Sequence, residues 1–305
     1  MSSIGPNVDA GVRERLIIRF GSEVEAWFDE LPDVLASLAD RWQIELYSQI
    51  PRGSVAVVFR CRLAGGKSAV LKVSPDRTRL AFEARALDAW RTVHAPAVIA
   101  VDDKLGALLI EAIEPGIALS VSATYPDINS VTDLVRTLHE TGVPDPSYPP
   151  VAQRAAYLFN SAAKLYQLHP ECTRLIPPEL YERGRRLATR LAQFDSKSVL
   201  LHGDLTPSNI LDGGHERGLV AIDPAPCVGD GGFDAVDLIL WQADDLKTIE
   251  ARTLQVAAAT GCDGERLLAW CAAFAAMNAL DLAIEDSPYA RIEACLQLAS
   301  QTPAN

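Results

Sequence analysis

The stretch "LLHGDLTPSNIL" (residues 200–211) sets a His, an Asp and an Asn between two apolar runs. Leu200 and Leu201 lead in, and Ile210 and Leu211 lead out. A loop held between two buried strands keeps its side chains in a set geometry, and functional groups concentrate on such loops. Further out, Asp223 follows Asn209 by 14 residues and closes the apolar run "LVAI". The turn "DGGHERG" (212–218) separates the two runs, so a hairpin would bring Asp223 beside Asn209. One amide oxygen and one carboxylate make a hard oxygen site. That site suits Mg²⁺ when phosphate oxygens complete the shell. Asp204 is then the remaining acid, left to take a proton from a hydroxyl.

The N-terminal third has a different periodicity. Residues 8–40 carry Leu16, Phe20, Val24, Trp27 and Leu31 at helical spacing. From Trp42 onward "WQIELYSQI", "SVAVVFRCRL" and "SAVLKV" alternate as strands, with "PRG" and "AGG" as the turns. "PDRTRLAFEARALDAW" (75–90) reads as an amphipathic helix, and "APAVIAVDD" and "GALLIEAI" as two more strands. Lys72 lies inside the apolar strand "AVLKV", where an unpaired ammonium is costly. Glu83 on the following helix is its natural partner, although Asp76 and Asp88 share that helix. A lysine so placed can hold phosphates. Read alone, Lys72 could snorkel from an edge strand, and H-G-D-x-x-x-x-N could be a capped turn. Together with Asn209 and Asp223 they point to chemistry.

This set resembles the protein-kinase-like fold. "HGDLTPSNIL…LVAIDPAPCVGDGGFDAVDLI" is similar to the aminoglycoside phosphotransferase family, most of all to its streptomycin 6-phosphotransferase and hydroxyurea phosphotransferase branch. The resemblance covers about residues 40–285. It implies an α+β, two-lobed fold, with a small antiparallel sheet in an N-terminal nucleotide-binding lobe (1–113) and a mostly helical lobe (114–305). It implies ATP and Mg²⁺ as cofactors, Asp204 as the catalytic-loop Asp, Asn209 and Asp223 as metal ligands, and Lys72 with Glu83 on the phosphates. Adenine would lie between the lobes, against the backbone of Glu111 and Ile113. Asp234 matches an acid that braces the catalytic loop. Two departures stand out. No G-x-G-x-x-G covers the phosphates, and "SQIPRGSVAVVF" offers only Gly53 and Ser54. Gly203, rather than Arg, precedes Asp204, which argues against regulation through a phosphorylated loop.

Charge bears on the acceptor. The 305 residues carry a net charge of −12, which disfavours nucleic acid as a partner. Residues 205–305 hold 15 acids against 5 bases. That imbalance suits a small cationic substrate such as an aminoglycoside, or is simply a solvated acidic surface. Asp281 and Glu285 are four apart and share a helix face, so they are candidate substrate ligands. Asp230, after Gly229, reads first as a turn former and second as a substrate contact. His202 is expected to hold the loop through backbone bonds, His139 to cap a helix or lie at the surface, and Trp241 and Trp270 to pack the helical lobe, with a sugar pocket as the alternative for either tryptophan. The six cysteines form no C-x-x-C pair, and a reducing cytoplasm without a membrane span is the expectation. Two alternatives stay open: a kinase of another small metabolite or a hydroxyurea-type compound, and a nucleotide-binding module without catalysis. The oligomeric state is not legible.

Overall fold

A computed structural model describes residues 8–53, 55–193 and 197–301. Ser54, offered with Gly53 near the phosphates, lies outside the described residues. The chain divides into two compact units, the first ending at Gly116 and the second starting at Ile117.

The first unit opens with α1 (Ala10–Phe20) and α2 (Val24–Trp42). The helical stretch expected over 8–40 is thus two helices. Asp9 caps α1 by accepting from the Val12 N–H at 3.1 Å, and Gly21, at φ 81°, ends it. Strands β1 (Ile44–Ile50), β2 (Val57–Leu63) and β3 (Ser68–Val73) follow, then α3 (Arg77–Trp90), β4 (Val98–Asp102) and β5 (Ala107–Glu111). All pairings are antiparallel, in the order β1-β2-β3-β5-β4. Strand alternation sorts the two faces. Ala69, Leu71 and Val73 of β3 and Ala107 and Leu109 of β5 join one core with Leu16, Phe28, Leu31 and Leu38 of the two leading helices. Lys72 therefore points to the opposite face, where α3 packs on β4 and β5. Along α3 the buried positions Leu80, Glu83, Ala84 and Leu87 form one helical stripe, which puts Glu83 on the sheet side.

The second unit begins with α4 (Ile128–Thr141), α5 (Val151–Leu168) and α6 (Pro178–Gln193). Four short strands carry the next segment: β6 (Ser198–Leu201), β7 (Ile210–Asp212), β8 (Leu219–Ala221) and β9 (Cys227–Asp230). β7 and β8 form the hairpin expected from the sequence, with the one-turn α7 (Gly214–Arg217) in its connection. β6 pairs with β9, a strand that the pattern of "CVGD" does not announce. Helices α8 (Gly232–Leu240), α9 (Leu246–Thr260), α10 (Gly264–Ile284) and α11 (Tyr289–Ser300) complete the unit. Against the sequence reading that no apolar run is long enough for a membrane span, α10 passes that test by length and composition, with 21 residues. Its apolar residues are spent on packing instead: Trp270, Cys271, Ala273, Ala275 and Ala279 are buried against α6, α8 and α11. Gly184 lets α6 approach closely, since a Cβ there would come within 2.2 Å of the Ala273 carbonyl oxygen.

Candidate active site

The catalytic-loop segment leaves β6 from two fully buried leucines, Leu200 and Leu201, so its first residue is fixed in place. His202 is completely buried. Its Nδ1 accepts from the Asp204 N–H at 3.3 Å, so its Nε2 carries the proton and donates to the Ile222 carbonyl at 3.0 Å. Burial pushes the pKa of this imidazole down, which keeps it neutral in that role. His202 thus ties the loop to the end of β8.

Gly203 adopts φ 75°, and a Cβ on it would lie 2.1 Å from the Ala225 carbonyl oxygen, so only glycine fits. Asp234, at the start of α8, accepts from the Gly203 N–H at 2.8 Å and the His202 N–H at 2.7 Å. His139 Nε2 stands 3.2 Å from the same carboxylate. The expectation that His139 caps a helix or lies at the surface is therefore corrected: it joins α4 to the loop brace. Burial alone would raise the Asp234 pKa, but the bonds from His139 and the loop outweigh it and hold the carboxyl below its usual range.

Asp204 presents a carboxylate whose side chain is 30% exposed, enough for a hydroxyl to reach. Its Oδ2 accepts from Asn209 Nδ2 at 3.1 Å, and the same amide nitrogen donates to the Asp204 carbonyl at 3.0 Å. With the nitrogen so engaged, the amide oxygen of Asn209 is the atom available to a metal. The Asn209 carbonyl accepts from the Ile222 N–H at 2.8 Å, which brings Asp223 alongside. Asp223 sits at φ 57°, left-handed and directly ahead of Pro224. Such strain in a non-glycine residue is characteristic of functional positions. Among the described residues no cluster of three or more His, Cys, Asp or Glu side chains is placed to hold a metal. A metal on Asn209 and Asp223 would accordingly need oxygens from a bound phosphate, which fits Mg²⁺ carried with a nucleotide.

In the first unit Lys72 Nζ and Glu83 Oε1 are ion-paired, with both side chains 4% exposed. Glu111 ends β5, where its N–H donates to the Ala97 carbonyl at 2.9 Å. Ile113 follows as a buried residue. Gly53 lies in the β1–β2 connection, where Arg15 Nε donates to its carbonyl at 3.1 Å and a Cβ would lie 2.0 Å from the Ala56 carbonyl oxygen.

Two acids extend the Asp204 environment, and only one was expected. Asp237 is the one residue of Gly232–Leu240 that is half-buried rather than fully enclosed. Burial and then the charges of Asp204 and Asp281 push its pKa up to about 7, with Arg154 opposing. Asp281, on α10, is raised to about 6, by desolvation first and then by Glu285. Asp281 is itself exposed to solvent. Asp230 is engaged by other partners. Its Oδ2 is paired with Arg266 and its Oδ1 accepts from the Gly232 N–H at 2.9 Å, so it anchors α8 to α10. Trp270 is fully buried and lines no open surface; Trp241 is half-buried against Tyr125.

Sequence reasoning missed Arg154, Asp237 and His139. Arg154 falls on the apolar stripe Val151, Ala155, Leu158 and Phe159 of α5, and Asp237 interrupts the apolar run "AVDLIL". A charge inside an apolar stripe is a usable signal. His139 gave none.

Residues 41–284 match the family described as aminoglycoside/hydroxyurea antibiotic resistance kinase, well over half of the chain. The chain belongs to this family. A streptomycin 6-kinase of Streptomyces griseus is 28% identical over 242 residues, 78% of this chain and 75% of that protein. A hydroxyurea phosphotransferase of Kitasatospora aureofaciens is 29% identical over 277 residues, 86% of this chain and 76% of its own. Among solved structures the choline kinase LicA of Streptococcus pneumoniae has the same fold, with a TM-score of 0.58 at 14% identity over 88% of this chain and 98% of that one. LicA has also been solved with AMP. The fold of this resistance-kinase family member is protein-kinase-like, a sheet-bearing unit followed by a mostly helical one.

Proposed function

We propose that this family member moves the γ-phosphoryl group of ATP to a hydroxyl of a cationic aminoglycoside, with streptomycin as the acceptor. The observation that carries the reading is the Asp204 carboxylate, held by Asn209 and partly exposed, with Asp237 within reach of its charge and of that of Asp281. Phosphoryl transfer through a loose transition state asks mainly for positioning and charge neutralisation. Asp204 orients the acceptor hydroxyl and takes its proton. Lys72 holds the phosphates, and Asn209 and Asp223 hold Mg²⁺, which when bound offsets phosphate charge. Gly53, Ser54, Glu111 and Ile113 complete the nucleotide contacts in this reading. Streptomycin carries two guanidinium groups, and Asp237, Asp281 and Glu285 supply the countercharge.

A second reading, phosphorylation of hydroxyurea, is supported by the similar identity to the Kitasatospora enzyme. Hydroxyurea is small and uncharged and makes no use of the countercharge of Asp237, Asp281 and Glu285, so two measurements separate the readings. Asp281→Asn raises KM for streptomycin by about tenfold, the worth of one charge-assisted contact, and leaves KM for Mg·ATP unchanged. In the wild type, streptomycin affinity also rises as pH passes from below 6 to above 7, because Asp281 and Asp237 ionise in that interval. Glu285 facing Asp281, and Asp204, Asp234 and Arg154 around Asp237, set those positions. An unchanged streptomycin KM in both Asp281→Asn and Glu285→Gln, with hydroxyurea phosphorylated, would favour the second reading.

A further inference from the structure

We infer that Arg154 is a positioning residue for the catalytic carboxylate, a role that rests on Asp204 being the base. Arg154 belongs to α5, about fifty residues ahead of the loop that it reaches. Its Nε donates to the Gly203 carbonyl at 2.6 Å, and its terminal nitrogen donates to Asp204 Oδ1 at 2.7 Å. The side chain is 10% exposed, and the guanidinium lies 5.3 Å from the Tyr157 ring centroid. A buried guanidinium is costly unless its N–H groups are satisfied, so this one has been placed.

The fork completes a grip that nothing else in the loop supplies. Asp234 holds the N–H of Gly203, and Arg154 holds its carbonyl, so the peptide groups on either side of this left-handed residue are fixed. Asn209 holds Oδ2 of Asp204, and Arg154 holds Oδ1, so the carboxylate is pinned at both oxygens and its plane is set. The remaining lone pairs are left to meet an acceptor hydroxyl. The loop itself supplies no cation between Asp204 and Asn209, where the sequence is "LTPS". The cation beside Asp204 comes instead from a neighbouring helix. A planar guanidinium can bridge a carbonyl and a carboxylate at once, whereas an ammonium cannot match both directions.

A double-mutant cycle with streptomycin as acceptor, or hydroxyurea if streptomycin is not phosphorylated, tests this. Arg154→Met lowers kcat by about 10²-fold, the scale of a misplaced catalytic group, while KM for Mg·ATP stays within about twofold. Arg154→Lys recovers part of the loss. In an Asp204→Asn background the same Arg154→Met change costs less than about threefold, because the group that it positions is gone. Equal losses in both backgrounds would overturn the inference, as would an Arg154→Met enzyme with wild-type kcat. If Asp204→Asn alone keeps full turnover, the base assignment is what fails. A crystal structure of Arg154→Met, or of Arg154→Lys if the first variant does not fold, gives a readout independent of the acceptor. Asp204 should leave its present rotamer in Arg154→Met and shift or lose its Oδ1 contact in Arg154→Lys. A carboxylate unmoved in the variant that is solved contradicts a positioning role.

Discussion

Asp204→Asn lowers kcat by about 10²–10⁴, the usual contribution of a general base, and leaves Mg·ATP binding near normal. The two side chains have nearly the same shape, so the Gly203 turn and the Asp234 brace remain. An asparagine amide can still offer its oxygen to Arg154, but it turns its NH₂ toward Asn209 Nδ2, two donors facing each other. That mismatch is local and costs a little stability. The loss of proton acceptance is the larger effect and appears in kcat alone. Initial rates of ADP release together with calorimetric titration of Mg·ATP separate the two. Wild-type turnover in Asp204→Asn would remove this residue from the chemistry.

The buried pair of Lys72 and Glu83 gives the largest effect on stability. Both side chains are almost fully enclosed between β3 and α3. Removing one partner of such a pair leaves an uncompensated buried charge and costs about 3–5 kcal/mol, whereas replacing both by apolar groups of similar volume is often neutral. Glu83→Leu should accordingly destabilise the protein by that amount in urea unfolding. Lys72→Met with Glu83→Leu should recover most of it. The recovered double variant should nevertheless fail to turn over Mg·ATP, because the ammonium that holds the phosphates is gone. If it stays active, the pair is structural only. If Glu83→Leu unfolds at the wild-type urea concentration, the lysine does not depend on this carboxylate.

Local patterns explain what the sequence makes visible. Two-residue alternation along "SAVLKV" puts Lys72 opposite Leu71, and helical spacing along α3 puts Glu83 beside it. The β7–β8 hairpin brings Asn209 and Asp223 together through a short turn. What stayed hidden depends on contacts distant in the chain. Arg154 reaches the loop from fifty residues away, and His139 reaches Asp234 across 95. Strand β9 forms only because β6 offers an edge, and "CVGD" has no periodicity of its own. Asp230 forms the turn expected of it first, through its bond to the Gly232 N–H, while its partner Arg266 lies 36 residues on, past α8 and α9, and was not legible. In α10 hydropathy cannot tell a helix that is buried by protein from one that is buried by lipid.

The central claim is the transfer of a phosphoryl group from ATP to an aminoglycoside hydroxyl. Incubating the wild-type protein with Mg·ATP and streptomycin, and then analysing the antibiotic by mass spectrometry and phosphorus NMR, tests it directly. The expected product carries one added phosphoryl group per molecule, bonded as a phosphate monoester on a ring hydroxyl, with an equal amount of ADP and no product when Mg²⁺ is chelated. Streptomycin recovered unmodified, while the same protein phosphorylates hydroxyurea or releases no ADP at all, would contradict it.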